Sequence, residues 1–129
     1  MIAIDTNILA RWALRDDETQ FRVSEHVLGQ PCWVGWTIWI ELGWLLKSVA
    51  KLDRGQVCDV LEAIAAISTI HFDRPSRLRW AIARHREAGD LADLMHIASA
   101  GDVSAFLSFE KRLARQAGAS SPVKIELAK

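Results

Sequence analysis

The sequence predicts an α/β fold, with a mostly parallel central sheet of about five short strands lying between helical layers. Three observations predict it. The chain opens on an apolar run, Met1-Ile2-Ala3-Ile4, that stops at Asp5-Thr6-Asn7 with no polar alternation, the pattern of a strand buried inside a parallel sheet. Further short apolar runs recur along the chain. Between them lie segments whose apolar residues repeat at helical spacing, punctuated by Gly, Pro and Asp.

Taken in order, a helix is expected from about Thr6 to Leu14, followed by the acidic turn Asp16-Asp17-Glu18. A second helix runs to about Leu28, with Phe21, Val23, Val27 and Leu28 as its apolar side, and Gly29 and Pro31 stop it. Cys32-Trp33-Val34-Gly35 reads as the second strand. Thr37 can cap a third helix reaching about Lys51, whose stripe is Ile38, Leu42, Leu45 and Val49. Asp53 can cap the next, to about Ile67, and Thr69 to Phe72 is a third strand. A helix from Pro75 to about Ala88 ends at Gly89, and Asp90 opens another that reaches Gly101. Ala105 to Phe109 is a strand, Glu110 to Ala117 a basic helix, and Val123 to Ile125 the last strand.

The 129 residues, 50% of them hydrophobic, are enough for one domain with a proper core, so residues 1–129 are expected to form a single domain. Met1 is followed by no basic segment and Asp5 interrupts the apolar run at once, so no secretory leader is expected and the location is expected to be cytoplasmic. The most apolar window, Pro31 to Leu46, is broken by Glu41 and is shorter than the ~20 residues of a membrane span. Cys32 and Cys58 have no paired spacing and read as core thiols. With 16 basic and 16 acidic residues the chain is no polycation, and nucleic-acid contacts need local patches.

The informative residues are acids in places that resist them. Asp5 ends the first strand, where open α/β sheets bind ligands. Capping the first helix would explain it equally well. Glu41 is the only Asp, Glu, Lys or Arg between Glu25 and Lys47, and it falls at the edge of the expected core stripe, where a carboxylate either simply reaches solvent or is costly unless paired, hydrogen-bonded or bound to a metal. Asp90 and Asp93 suit a helix start, and their spacing also presents both to one side of the first turn. Glu110 follows an apolar run, as Asp5 does. Carboxylates brought together from separate elements repel, and a hard divalent cation such as Mg²⁺ or Mn²⁺ would relieve them and could activate water against a phosphodiester.

Four motifs stand in this order: Ile4-Asp5-Thr6-Asn7, Glu41 on the third helix, Gly89-Asp90-Leu91-Ala92-Asp93-Leu94-Met95-His96-Ile97-Ala98, and Phe106-Leu107-Ser108-Phe109-Glu110-Lys111-Arg112-Leu113-Ala114. In this set the chain resembles the PIN-domain ribonucleases, and more narrowly the VapC-type toxins of bacterial toxin–antitoxin pairs. The resemblance implies a PIN-like three-layer α/β/α sandwich. It makes Asp5, Glu41 and Asp90 the principal metal-site carboxylates, with Asp93 on the second acid of the pattern. It places Thr6 and Ser108 as hydroxyls lining the site, with Asn7 holding the first turn in shape. Relatives usually carry Asp where this chain has Glu110, so Glu110 is expected to act from behind the ligands or through water. The implied reaction is RNA hydrolysis by a metal-activated water, leaving a 5′-phosphate and a 3′-hydroxyl. The implied partners are an RNA substrate, a cognate VapB-type antitoxin and a second copy of the chain in a homodimer.

Arg11, Arg15 and Lys111 are the cations expected to meet the RNA backbone. The Arg74–Arg86 group reads at least equally well as solvated helix surface. Trp33, Trp36, Trp39 and Trp44 are expected in the core or an oligomer interface, and His96 as a packed or hydrogen-bonded helix residue. Two other classes compete with this reading. A catalytically degenerate PIN-like module that binds RNA or protein is kept alive by Glu110. A signalling receiver domain is disfavoured because Asp53 falls between helices.

Overall fold

A computed structural model describes residues 1–129. Seven helices and five short strands alternate, and every strand pair is parallel, so the α/β class and the parallel pairing hold. The strands fall into two ladders, β1-β2-β3 and β4-β5. The chain divides into two compact units, Met1–Asp73 and Arg74–Lys129, each with one ladder. No helix is long and apolar enough to cross a membrane.

In the first unit β1 (Ile2–Ala3) pairs with β2 (Cys32–Trp33), and β2 with β3 (Ile70–His71). The opening run is less buried than its apolar sequence suggests: both β1 residues are exposed, and only Ile4 is covered. β1 is the end strand of its ladder, which explains the difference. Helices α1 (Thr6–Leu14), α2 (Glu18–Val27), α3 (Trp36–Ser48) and α4 (Arg54–Ala65) complete the unit. Asp53 caps α4 as expected, and the structure adds a reciprocal box with Gln56.

Two helix faces differ from expectation. In α2 the buried residue is Ser24, while Val23 is exposed. In α3 the core face is Trp39, Leu42, Gly43 and Leu46, because the Trp39 ring takes a core position edge-on to Phe72, with ring centroids 5.4 Å apart. Val49 falls after the helix and is exposed. The cap of α3 is Gly35 rather than Thr37, and no side chain bonds there. The helix stops at Ser48, with Lys51 beyond it in left-handed backbone at φ 60°. Trp39 meets the core expectation, whereas Trp44 is 61% exposed. Cys32 and Cys58 are buried free thiols, and burial pushes the Cys32 thiol up.

In the second unit α5 (Pro75–Glu87) starts on Pro75, where a missing N–H costs nothing, and packs against α6 (Leu91–Ser99). Strand β4 (Phe106–Ser108) pairs with β5 (Ile125–Leu127), two residues later than expected, since Val123 is drawn into the core before the ladder begins. Helix α7 is shorter than expected and spans Leu113–Ala117, leaving Glu110 in the preceding turn. The Arg74–Arg86 group is not merely solvated surface. Arg84 donates to the carbonyls of Gln116 and Arg115, and Arg77 to that of Ala98, so these arginines tie α5 to its neighbours.

Candidate active site

Each unit carries a capped helix start with a carboxylate on it. In the first unit Asp5 is the N-cap of α1, and its Oδ1 accepts from the backbone N–H of Asn7 at 3.1 Å and of Ile8 at 3.4 Å. Both bonds use Oδ1, so the cap leaves Oδ2 unengaged and the capping and functional readings of Asp5 are compatible. Thr6 is buried, and its Oγ1 has no hydrogen-bond partner. Asn7 begins the first turn of α1 as expected, with its side chain facing a groove of 340 Å³ that Asp5 and Arg11 also line.

Glu41 corrects the argument that singled it out. It sits opposite the buried face of α3, exposed, and pays no burial penalty. Rotation of the helix onto Trp39 puts Glu41 in solvent. No ion pair or hydrogen bond engages its carboxylate, so it is available to a ligand.

In the second unit Asp90 is the N-cap of α6 and accepts from the Asp93 N–H at 3.1 Å. Asp93, Ser108 and Glu110 line one cavity of 310 Å³ together with His96 and Phe106. The Asp93 carboxyl is pushed up, first by partial burial and then by the carboxylates of Asp90 and Glu110, with His96 opposing. Ser108 Oγ accepts from the Glu110 N–H at 3.0 Å, and Glu110 Oε1 accepts from the Arg112 N–H at 3.0 Å. Glu110 is thus held by its own turn. His96 is neither packed nor hydrogen-bonded: one helical turn beyond Asp93, it is exposed on the cavity.

The expected RNA-contacting cations differ in freedom. Arg11 Nη1 donates to both carboxylate oxygens of Asp16, at 3.0 and 2.9 Å. Arg15 pairs with Glu18 through two bonds and lies over the Phe21 ring at 4.1 Å. The Glu18 pairing raises the Arg15 pKa and lowers that of Glu18. Lys111 is exposed with no ion partner.

The donors expected for a divalent ion are all carboxylate oxygens, the chemistry Mg²⁺ and Mn²⁺ prefer. The crowding of Asp90 and Glu110 on Asp93 is what such an ion relieves. No group of three or more His, Cys, Asp or Glu side chains lies close enough to hold a metal ion. Sequence reasoning missed Gln20, Val23 and Ser24 on the groove of the first unit. Ser24 was the available signal, a hydroxyl between Phe21 and Leu28 on the inward line of α2.

Parallel strands, acids at helix starts and a carboxylate-flanked cavity define an α/β protein equipped for charged ligands. The PIN domain model matches residues 2–119, and the chain belongs to the PIN-domain family. PIN domains are generally nucleases, and PIN nucleases typically use divalent metals. No curated protein and no solved structure matches the chain significantly.

Proposed function

We propose that this chain is a divalent-metal-dependent endoribonuclease acting in the cytoplasm as the toxin of a toxin–antitoxin pair, inhibited by a VapB-type antitoxin and working as a homodimer. Asp5, Glu41, Asp90 and Asp93 are the carboxylates that would hold Mg²⁺ or Mn²⁺, with Glu110 acting through water. The observation that carries this reading is the crowding of carboxylates on Asp93, which favours a cation, in a chain of a nuclease family. Once bound, the ion supplies activation of water and charge stabilisation for phosphodiester hydrolysis.

The chain's own residues do the rest. Asp5 keeps Oδ2 for the ion while Oδ1 holds the helix start. Thr6, Asn7 and Ser108 line the site. Lys111 meets the RNA backbone as a free cation, and Arg11 and Arg15 can do so with the donors their acids leave open.

The test is cleavage of total bacterial RNA by the purified protein with Mg²⁺, Mn²⁺ or EDTA, beside Asp5→Asn. Discrete EDTA-sensitive fragments, absent from the variant, are expected. Absence of cleavage by folded, antitoxin-free, metal-loaded protein favours a catalytically degenerate module that binds RNA or protein. That second reading draws support from the lack of a three-ligand cluster and from the self-bonded turn of Glu110.

A further inference from the structure

The groove between α1 and α2 has a composition that neither helix packing nor the metal chemistry explains. Its apolar walls are Ile8 and Val23, and the rest of its lining is polar. Asn7 and Gln20 bring primary amides that make no side-chain hydrogen bond within the chain. Ser24, on the inward side of α2, adds a hydroxyl to the lining. Arg11 closes one end, its Nη1 spent on Asp16 and its Nε and Nη2 open. Asp5, a proposed cleavage-site carboxylate, also lines it.

We propose that this groove seats one unpaired RNA base adjoining the cleaved bond. The inference rests on the ribonuclease reading above. A base offers apolar faces to Ile8 and Val23 and a polar edge to amides and a hydroxyl, while its phosphate meets the open donors of Arg11. A docked protein helix would ask for a longer row of apolar anchors than two. The volume of 340 Å³ lies in the range of small-ligand sites and suits one nucleotide rather than a helix. Asn7 and Gln20 are therefore specificity-determining residues, reading the base through their amides, and Val23 is a wall.

Gln20 and Val23 are exposed, so their replacement spares the core. The experiment compares wild type, Gln20→Ala and Val23→Trp on short single-stranded RNAs randomised around the cut, with end-mapping, KM and kcat, and circular dichroism as the folding check. Gln20→Ala should flatten base preference at one position beside the cut and raise KM about tenfold on the preferred sequence, with kcat little changed. Val23→Trp should raise KM on every sequence by filling the groove. Unchanged preference and KM in both variants, with wild type cutting normally, overturns the groove and leaves the ribonuclease reading standing. Loss of antitoxin binding with unchanged RNA kinetics assigns the groove to a protein and overturns it too. A wild type that neither binds nor cuts RNA overturns both readings.

Discussion

The two units solve the same local problem and arrive at different electrostatics. In each, an aspartate caps a helix: Asp5 bonds the N–H groups of Asn7 and Ile8, and Asp90 that of Asp93. Around Asp5 the neighbours are amides, a hydroxyl and an arginine, and Glu41 stands exposed on another helix of that unit. Near Asp93 stand Asp90 and Glu110, and the Asp93 carboxyl is pushed up, first by partial burial and then by these two carboxylates. Capping explains an acid at a helix start wherever it occurs. It does not explain two carboxylates acting on a third, and there the local charge by itself favours a cation.

The comparison breaks most severely if the isolated acids prove dispensable. Asp5→Asn keeps a side-chain acceptor for the cap but loses the charge, and Glu41→Gln alters an exposed side chain. Both should stay folded and lose cleavage by roughly 100-fold or more, since even residues that merely support metal ligands are worth ~10–100-fold. Full activity in Asp5→Asn, measured on the same RNA at saturating metal, would remove Asp5 from the proposed site.

A smaller effect sharpens the description of the second unit. Glu110→Asp shortens a side chain whose carboxylate now bonds its own turn. It should leave cleavage within about threefold of wild type or raise it. Complete loss would show that the longer reach is required.

The smallest effect is a titration. The folded Asp93 carboxyl holds its proton more tightly than the unfolded one. The stability this group contributes is therefore full below the unfolded value and lost as pH rises through the folded value. In EDTA, the pH dependence of Tm should carry that fall in wild type and lack it in Asp93→Asn. Identical profiles would mean that the crowding has no thermodynamic consequence.

Much of this was legible in the sequence because it depended on local chemistry. Asp53 as a cap, Asp90 with Asp93, and Pro75 at a helix start are determined within four residues, and these helix starts followed. The failures depended on tertiary choices. Apolar spacing allowed α3 to bury Ile38, Leu42, Leu45 and Val49. The bulk of Trp39 turned the helix instead, carrying Glu41 away from the core and voiding the burial argument for it. Ser24 and Val23 exchanged places for a similar reason, which hid the groove of the first unit. The acids at 5, 41, 90, 93 and 110 were legible as a set through order and spacing. Their individual surroundings were not, because Arg11 finding Asp16 and Glu110 folding onto Arg112 are outcomes of side-chain geometry.

The proposal that Asp5 and Asp93 are metal-holding carboxylates is tested most directly by Mn²⁺ binding to wild type, Asp5→Asn and Asp93→Asn. Each change is expected to weaken Mn²⁺ binding by about 10-fold or more. Mn²⁺ binding indifferent to both changes would contradict it.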